Sequence, residues 1–312
     1  MIKAASKFCA ANDANDANVR VIRVIRGPKT YQRWVTLCAI AVLCWVQALP
    51  SLSAQRGQRG GGQPAGPNIP IPRFPDGTPN LSWVDPAYKG YWRSGQHWEY
   101  GKDQIDPTAR AEGLPYQPWA KALHDYRTKT ESKDDPEVFC LPPGGPRATS
   151  TMGPWEFIQM PEQKRIIRIF EEVAHMYQII YMDGRPHPKE LADLPTWLGH
   201  SVGHWEGDTL VIDTVGFNEG HWLDRSGDVR TSKMHLVERF TRTSYTNMRY
   251  EATVDDPGAY TKPFTIGWDI RWVPGAEIEE YVCQENNRYL EHYENIQIEG
   301  VDPALQRGRP KE

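Results

Sequence analysis

Residues 247–273, NMRYEATVDDPGAYTKPFTIGWDIRWV, carry the clearest strand signal in the chain. Met248, Tyr250, Ala252 and Val254 fall on one side of an extended backbone. After the turn residues Asp255-Asp256-Pro257-Gly258, the residues Phe264, Ile266, Trp268, Ile270 and Trp272 repeat the pattern. Arg249, Glu251, Thr253, Asp255, Thr265, Asp269 and Arg271 occupy the alternate positions, so one face suits a core and the other suits water. Outward from this stretch, further β-rich runs separated by turn residues place strands near 155–160, 165–172, 174–182, 200–206, 209–217, 234–243, 247–255, 264–273 and 277–284, the layout of an antiparallel meander. Nine consecutive strands favour a closed barrel or a sandwich, because an open sheet of that size leaves edges to protect. The expected class is therefore mainly β, with the barrel over 151–290.

The region before it, 70–150, is rich in Pro, Gly and aromatic residues. It reads as an extended segment laid on the barrel, with one short strand near Leu81–Val84. One helix is expected from Pro118, where Trp119, Ala122, Leu123 and Tyr126 fall at i, i+3, i+4 and i+7 and proline suits the first helical position. Residues 140–147 (CLPPGGPR) read as a rigid loop without regular hydrogen bonding, and 291–312 as a C-terminal tail.

The 312 residues contain 36 Lys plus Arg against 40 Asp plus Glu, a net charge of −4, which supplies no basic field for a nucleic-acid partner. A mean hydropathy of −0.63 excludes a multi-span membrane protein. At the N-terminus, a basic polar stretch precedes the uncharged, mostly apolar run Trp34–Leu49. That run is shorter than the ~20 residues a spanning helix needs, and Pro50 to Ala54 follows as a cleavable small-residue end. Residues 1–54 thus read as a signal peptide, with an uncleaved anchor as the alternative, and the Gly-rich 55–69 as a flexible leader. The protein is expected in the periplasm or outside the cell, with no stable membrane insertion after cleavage. Without residues 1–54 the net charge becomes −9, and only Cys140 and Cys283 remain of the five cysteines. Two cysteines in an oxidising compartment point to a disulfide; two separate buried thiols are the alternative. Neither has a second Cys or a His beside it at ligand spacing.

Gly207-Asp208 lies between two β runs and suits a two-residue hairpin loop. The register that follows sets Trp205 opposite Leu210, His204 opposite Val211, Val202 opposite Asp213 and His200 opposite Val215, so His200, His204 and Asp213 share a face. Asp213 is then within reach of an imidazole whose tautomer it can fix. His200 and His204 are about 13 Å apart along a strand, too far to share one metal ion. Glu238, on the otherwise apolar face of Met234, Leu236 and Phe240, is a candidate buried carboxylate for acid–base work; the alternative is a Glu paired with an arginine inside the barrel. The Pro-rich turn 181–188 (YMDGRPHP) presents Tyr181, Arg185 and His187 as candidate ligand contacts. Ten of the twelve tryptophans follow the signal peptide, and Trp197, Trp205 and Trp222, which flank the hairpin, are the candidate ligand-stacking residues. A Gly-x-Ser-x-Gly elbow, a Walker loop, a GxGxxG turn, an HExxH helix and a CxxC pair are all missing, which disfavours common hydrolases, nucleotide enzymes and zincins.

The motifs CLPPGGPR (140–147), YMDGRPHP (181–188), GHSVGHWEGDTLVIDTVGFN (199–218), VERFTR (237–242), DDPGAYTKPF (255–264) and EYVCQENN (280–287) together resemble a family of exported bacterial proteins abundant in soil and environmental genomes. The resemblance spans about 80–290 and implies export but no substrate. The meander is also similar, on strand count, to lipocalin-like barrels, a likeness that implies an apolar cavity. The resulting expectation is an exported barrel that holds a small hydrophobic or aromatic molecule, with His200, His204 and Asp213 pointing inward beneath Glu238. Any catalysis would be proton transfer without metal or cofactor, with Asp213 orienting His204 as base and Glu238 as acid. The competing expectation is a carbohydrate-binding or envelope-structural protein that uses exposed tryptophans.

Overall fold

A computed structural model of the protein describes residues 70–82, 89–95, 98–151, 153–171, 176–285 and 287. The expected signal peptide, leader and C-terminal tail, and part of the expected strand at Leu81–Val84, lie outside these residues. Nine strands follow in chain order: β1 Gly90–Ser94, β2 Trp155–Met160, β3 Arg165–Phe170, β4 Tyr177–Tyr181, β5 His200–Glu206, β6 Thr209–Val215, β7 His235–Arg242, β8 Asn247–Asp255 and β9 Phe264–Pro274. Each pairs with the next, and β9 pairs back to β1, so the sheet is a closed barrel. The 247–273 stretch behaves as its alternation requires: Tyr250 faces Trp268 across the β8–β9 ladder, and all nine apolar residues are buried.

The strand count is right but one member differs. Residues 277–284 form no strand; the ninth strand is β1, whose Trp92 pairs with Trp155 of β2 and Trp272 of β9. The meander is not wholly antiparallel either. A ring of nine strands whose neighbours were all antiparallel would alternate direction an odd number of times and could not close, so one pair must be parallel. Here β4 and β5 are parallel, through Ile180↔Ser201 and Tyr181↔Val202. The chain therefore has to travel back along the barrel between them, and residues 182–199 make that crossover.

The Gly207-Asp208 hairpin has the expected register, with Val202↔Asp213 and His204↔Val211, and Gly207 takes the positive φ (58°) that so tight a turn demands. Among the described residues three short α-helices lie between β1 and β2: α1 Pro107–Glu112, α2 Pro118–Lys129 and α3 Pro146–Ser150. The expectation of a single helix is corrected, since the end of the CLPPGGPR motif opens α3 with Arg147 fully buried. Helix α2 starts at Pro118 as expected but buries Ala120, Leu123 and Tyr126, with Ala122 on its exposed side. Among the described residues no helix is long and apolar enough to cross a membrane.

The barrel interior is filled rather than hollow. Trp92, Trp155, Phe157, Phe240, Tyr250 and Trp268 are all essentially inaccessible, and Trp155, Phe157 and Phe240 meet edge to face at centroid distances of 5.3–6.0 Å. One rim is closed by α2, whose Trp119 donates its indole N–H to Gly258 O, and the other by residues 80–82, on which Arg242 donates to backbone carbonyls. Cys140 and Cys283 form a disulfide, with Cα atoms 5.7 Å apart, that ties the segment after β9 to the loop before α3.

Candidate functional site

Inside and outside are reversed relative to expectation for the hairpin face. Ser201, Gly203, Leu210, Ile212 and Thr214 point into the barrel, so His200, His204 and Asp213 stand on its outer wall. Both faces of β5 and β6 carry apolar residues: Val202, Val211 and Val215 lie outside, Leu210 and Ile212 inside. The alternation alone therefore does not label the core side. Glu238, on the inner face of β7, is separated from them by the barrel wall.

The crossover 182–199 is what assembles a cluster on that outer wall. It lays His187 over the start of β5, where His187 Nδ1 lies 2.8 Å from His200 Nδ1. The other ring nitrogen of His187 is 3.1 Å from Asp213 Oδ1, which also receives His235 Nε2 at 2.9 Å. His235 is absent from the sequence reading; it becomes visible only once the hairpin register is extended to β7, where Asp213 faces Val237 and His235 is its diagonal neighbour on the same face.

The tautomers follow from this network. A carboxylate only accepts, so His187 and His235 carry their protons on Nε2 and donate to Asp213. In the neutral form of His187 its Nδ1 is then an acceptor, and His200 donates to it from Nδ1. What is left is the Nε2 lone pair of His200, the end of an Asp213–His187–His200 chain. Burial first, then the nearby His187 and Arg185, hold the His200 imidazole below its ordinary pKa, which favours its neutral form. Tyr181 stacks on His200 at 5.2 Å, and Arg185 lies 3.9 Å above Tyr181 while bonded to Asp183 at 2.6 Å. That hydrogen-bonded arginine draws the Asp183 carboxyl down to about 2.

His200 also lines a cleft of about 390 Å³ whose walls include Tyr177, Ile179, Tyr181, Trp197 and Leu198. The structure thus brings together His187, His200, Asp213, Tyr181, Arg185 and Trp197. Other expected members lie elsewhere. His204 is well exposed beside Glu206, and with Trp205 it borders a separate cleft of about 380 Å³ floored by Met160, Ile166 and Met182. Trp222 is buried under Arg127 at 4.3 Å and is no ligand platform.

Glu238 takes the arginine-paired alternative. It is fully buried 3.7 Å from Arg168, accepts a hydrogen bond from Tyr250 at 2.8 Å, and has its carboxyl pushed up by burial against those two partners. Arg168 is caged by Trp155, Phe170, Phe240 and Phe157 at 4.2–5.7 Å, and burial brings it down to about 10.

Among the described residues no group of three or more His, Cys, Asp or Glu side chains is arranged to hold a metal ion. The outer-wall groups touch in a line and do not converge on one point. No family model, curated protein or solved structure matches the chain.

Proposed function

We propose that the protein binds a small hydrophobic or aromatic molecule in the outer-wall cleft and removes a proton from it with His200 as general base. The observation that carries this reading is the hydrogen-bonded chain Asp213–His187–His200, which ends at an imidazole on the wall of an aromatic cleft. Such a chain fixes the base in one tautomer and stabilises the imidazolium it becomes, the logic of a base held by an orienting third group. Trp197, Tyr181 and Tyr177 offer flat faces to the bound molecule. The reaction class is acid–base chemistry such as isomerisation, cyclisation, elimination or hydrolysis. The Cys140–Cys283 disulfide supports export to an oxidising compartment as part of the same reading.

The competing reading, a carbohydrate-binding or envelope-structural protein, depends on exposed tryptophan. Every tryptophan whose side chain is described is buried or half-buried.

The test is native mass spectrometry of the protein isolated from the periplasm. A co-purified organic molecule is expected, and it should be lost from Trp197→Ala and His200→Ala variants that keep the wild-type circular dichroism. Undiminished retention in both variants would remove the cleft as the site.

A further inference from the structure

A second pocket, of about 590 Å³, opens beside the rim that α2 covers, between the α1–α2 region and residues 224–228. It is lined by Tyr100, Tyr116, His124, Asp224 and Asp228, among others, and shares no residue with the outer-wall cleft. Asp224 and Asp228 are each nearly inaccessible, at 1% and 2% exposure. Asp228 Oδ1 accepts a hydrogen bond from the Tyr116 hydroxyl. His124 Nδ1 lies 3.0 Å from the same oxygen but off the hydrogen-bond axis, since that nitrogen makes no hydrogen bond. Asp224 Oδ1 accepts the backbone N–H of Asp228 at 3.0 Å, whereas Asp224 Oδ2 is a buried acceptor with no partner among the described residues.

Among the described residues no cation is hydrogen-bonded to that oxygen, and His124, the titratable imidazole on the pocket lining, faces Asp228 instead. Arg147 spends its guanidinium on Asp135, Glu137 and the backbone carbonyl of Asp224. Arg127 donates to Gly227 O, and Arg110 to Gln104 O. Lys102 pairs with Glu99, and Lys262 with Glu112. Two neighbouring buried carboxyls resist ionising together, which favours a proton on one of them. Burial and then the Asp228 charge raise the Asp224 carboxyl well above the usual range, which places the proton there.

We propose that this pocket binds a small primary ammonium compound, whose N–H groups reach Asp224 Oδ2 and whose charge replaces the Asp224 proton. Binding an ammonium ion then ionises Asp224 and releases one proton to solvent for each ligand bound. The inference is independent of the chemistry proposed for His200.

The experiment is calorimetric titration of the full chain with n-butylammonium, run in two buffers of different ionisation enthalpy, with glycerol and tetramethylammonium as comparison ligands. The expected result is saturable n-butylammonium binding with about one proton released, in keeping with the linkage between site ionisation and ligand charge. Asp224→Asn should weaken it at least ~10-fold, the loss of a charged hydrogen bond. The amide copies the neutral acid's shape, so folding should persist. Ala111→Trp, at an exposed α1 position on the pocket lining, should also block binding without touching either carboxyl, and its melting temperature checks that the fold is intact. Absence of n-butylammonium binding in the millimolar range overturns the proposal. So does binding without proton release, binding unaffected by both substitutions, or glycerol or tetramethylammonium binding as tightly.

Discussion

His187 is the pivot of the outer-wall cluster because both of its ring nitrogens are engaged, one by His200 and the other by Asp213. Asp213→Asn leaves the shape intact and keeps an acceptor oxygen for the two imidazoles, but removes the negative charge that would stabilise an imidazolium in the chain. Turnover on the co-purified molecule should fall by about 10²–10⁴, the usual contribution of a positioned base, with little change in melting temperature. With His200 as the proposed base, turnover should also depend on pH through His200 itself. The base works in its neutral form, and its pKa is lowered below the ordinary ~6.5 of an imidazole, so the rate should hold near neutrality and decline only as pH falls through a value under 6.5. A rate–pH profile whose acidic limb lies above 6.5 would assign the proton transfer to another group. Inside the barrel, Glu238→Gln removes the one carboxylate facing Arg168 and strands a buried guanidinium among aromatic rings. A loss of about 3–5 kcal/mol is expected in urea unfolding, and a compensating Arg168→Met should recover much of it.

At the level of elements, legibility followed the distance over which a residue's conformation is decided. The β5–β6 hairpin was readable down to its register because two residues, Gly207 and Asp208, set it locally. β8 and β9 were readable because one of their faces is apolar throughout. β1 was not: Gly90 to Ser94 is five residues long, and its partners Trp155 and Trp272 lie 63 and 180 positions away in the chain. The core side of β5 and β6 was equally hidden, because valines on the outer wall imitate a buried stripe. The residues of the candidate cluster are therefore largely legible in the sequence, whereas their side of the barrel wall and the part of His235 are not. The crossover 182–199 packs closely against Gly144. A methyl group there would collide with the backbone carbonyl of Trp197 and with Arg230. Gly144→Ala should push Trp197 out of the cleft wall, lowering stability by roughly 1–3 kcal/mol and weakening retention of the co-purified molecule together, measurable by unfolding and native mass spectrometry.

For the molecule as a whole, the disulfide and the closing ladder join parts of the chain that are far apart in sequence. Cys140 and Cys283 are separated by 143 positions, for which the chain-entropy model gives about 5 kcal/mol. Replacing both by serine should lower the urea midpoint accordingly, whereas reductant should leave the midpoint of that variant unchanged. The β1–β9 ladder also imposes an order of events. Gly90 meets Pro274, so the first strand to leave a ribosome or a translocation pore waits, with one edge bare, for the last. A nascent chain that has not yet delivered Phe264–Pro274 carries two exposed strand edges and an aromatic interior open to water. It is in that interval, and not as the finished ring, that this protein would call on a chaperone.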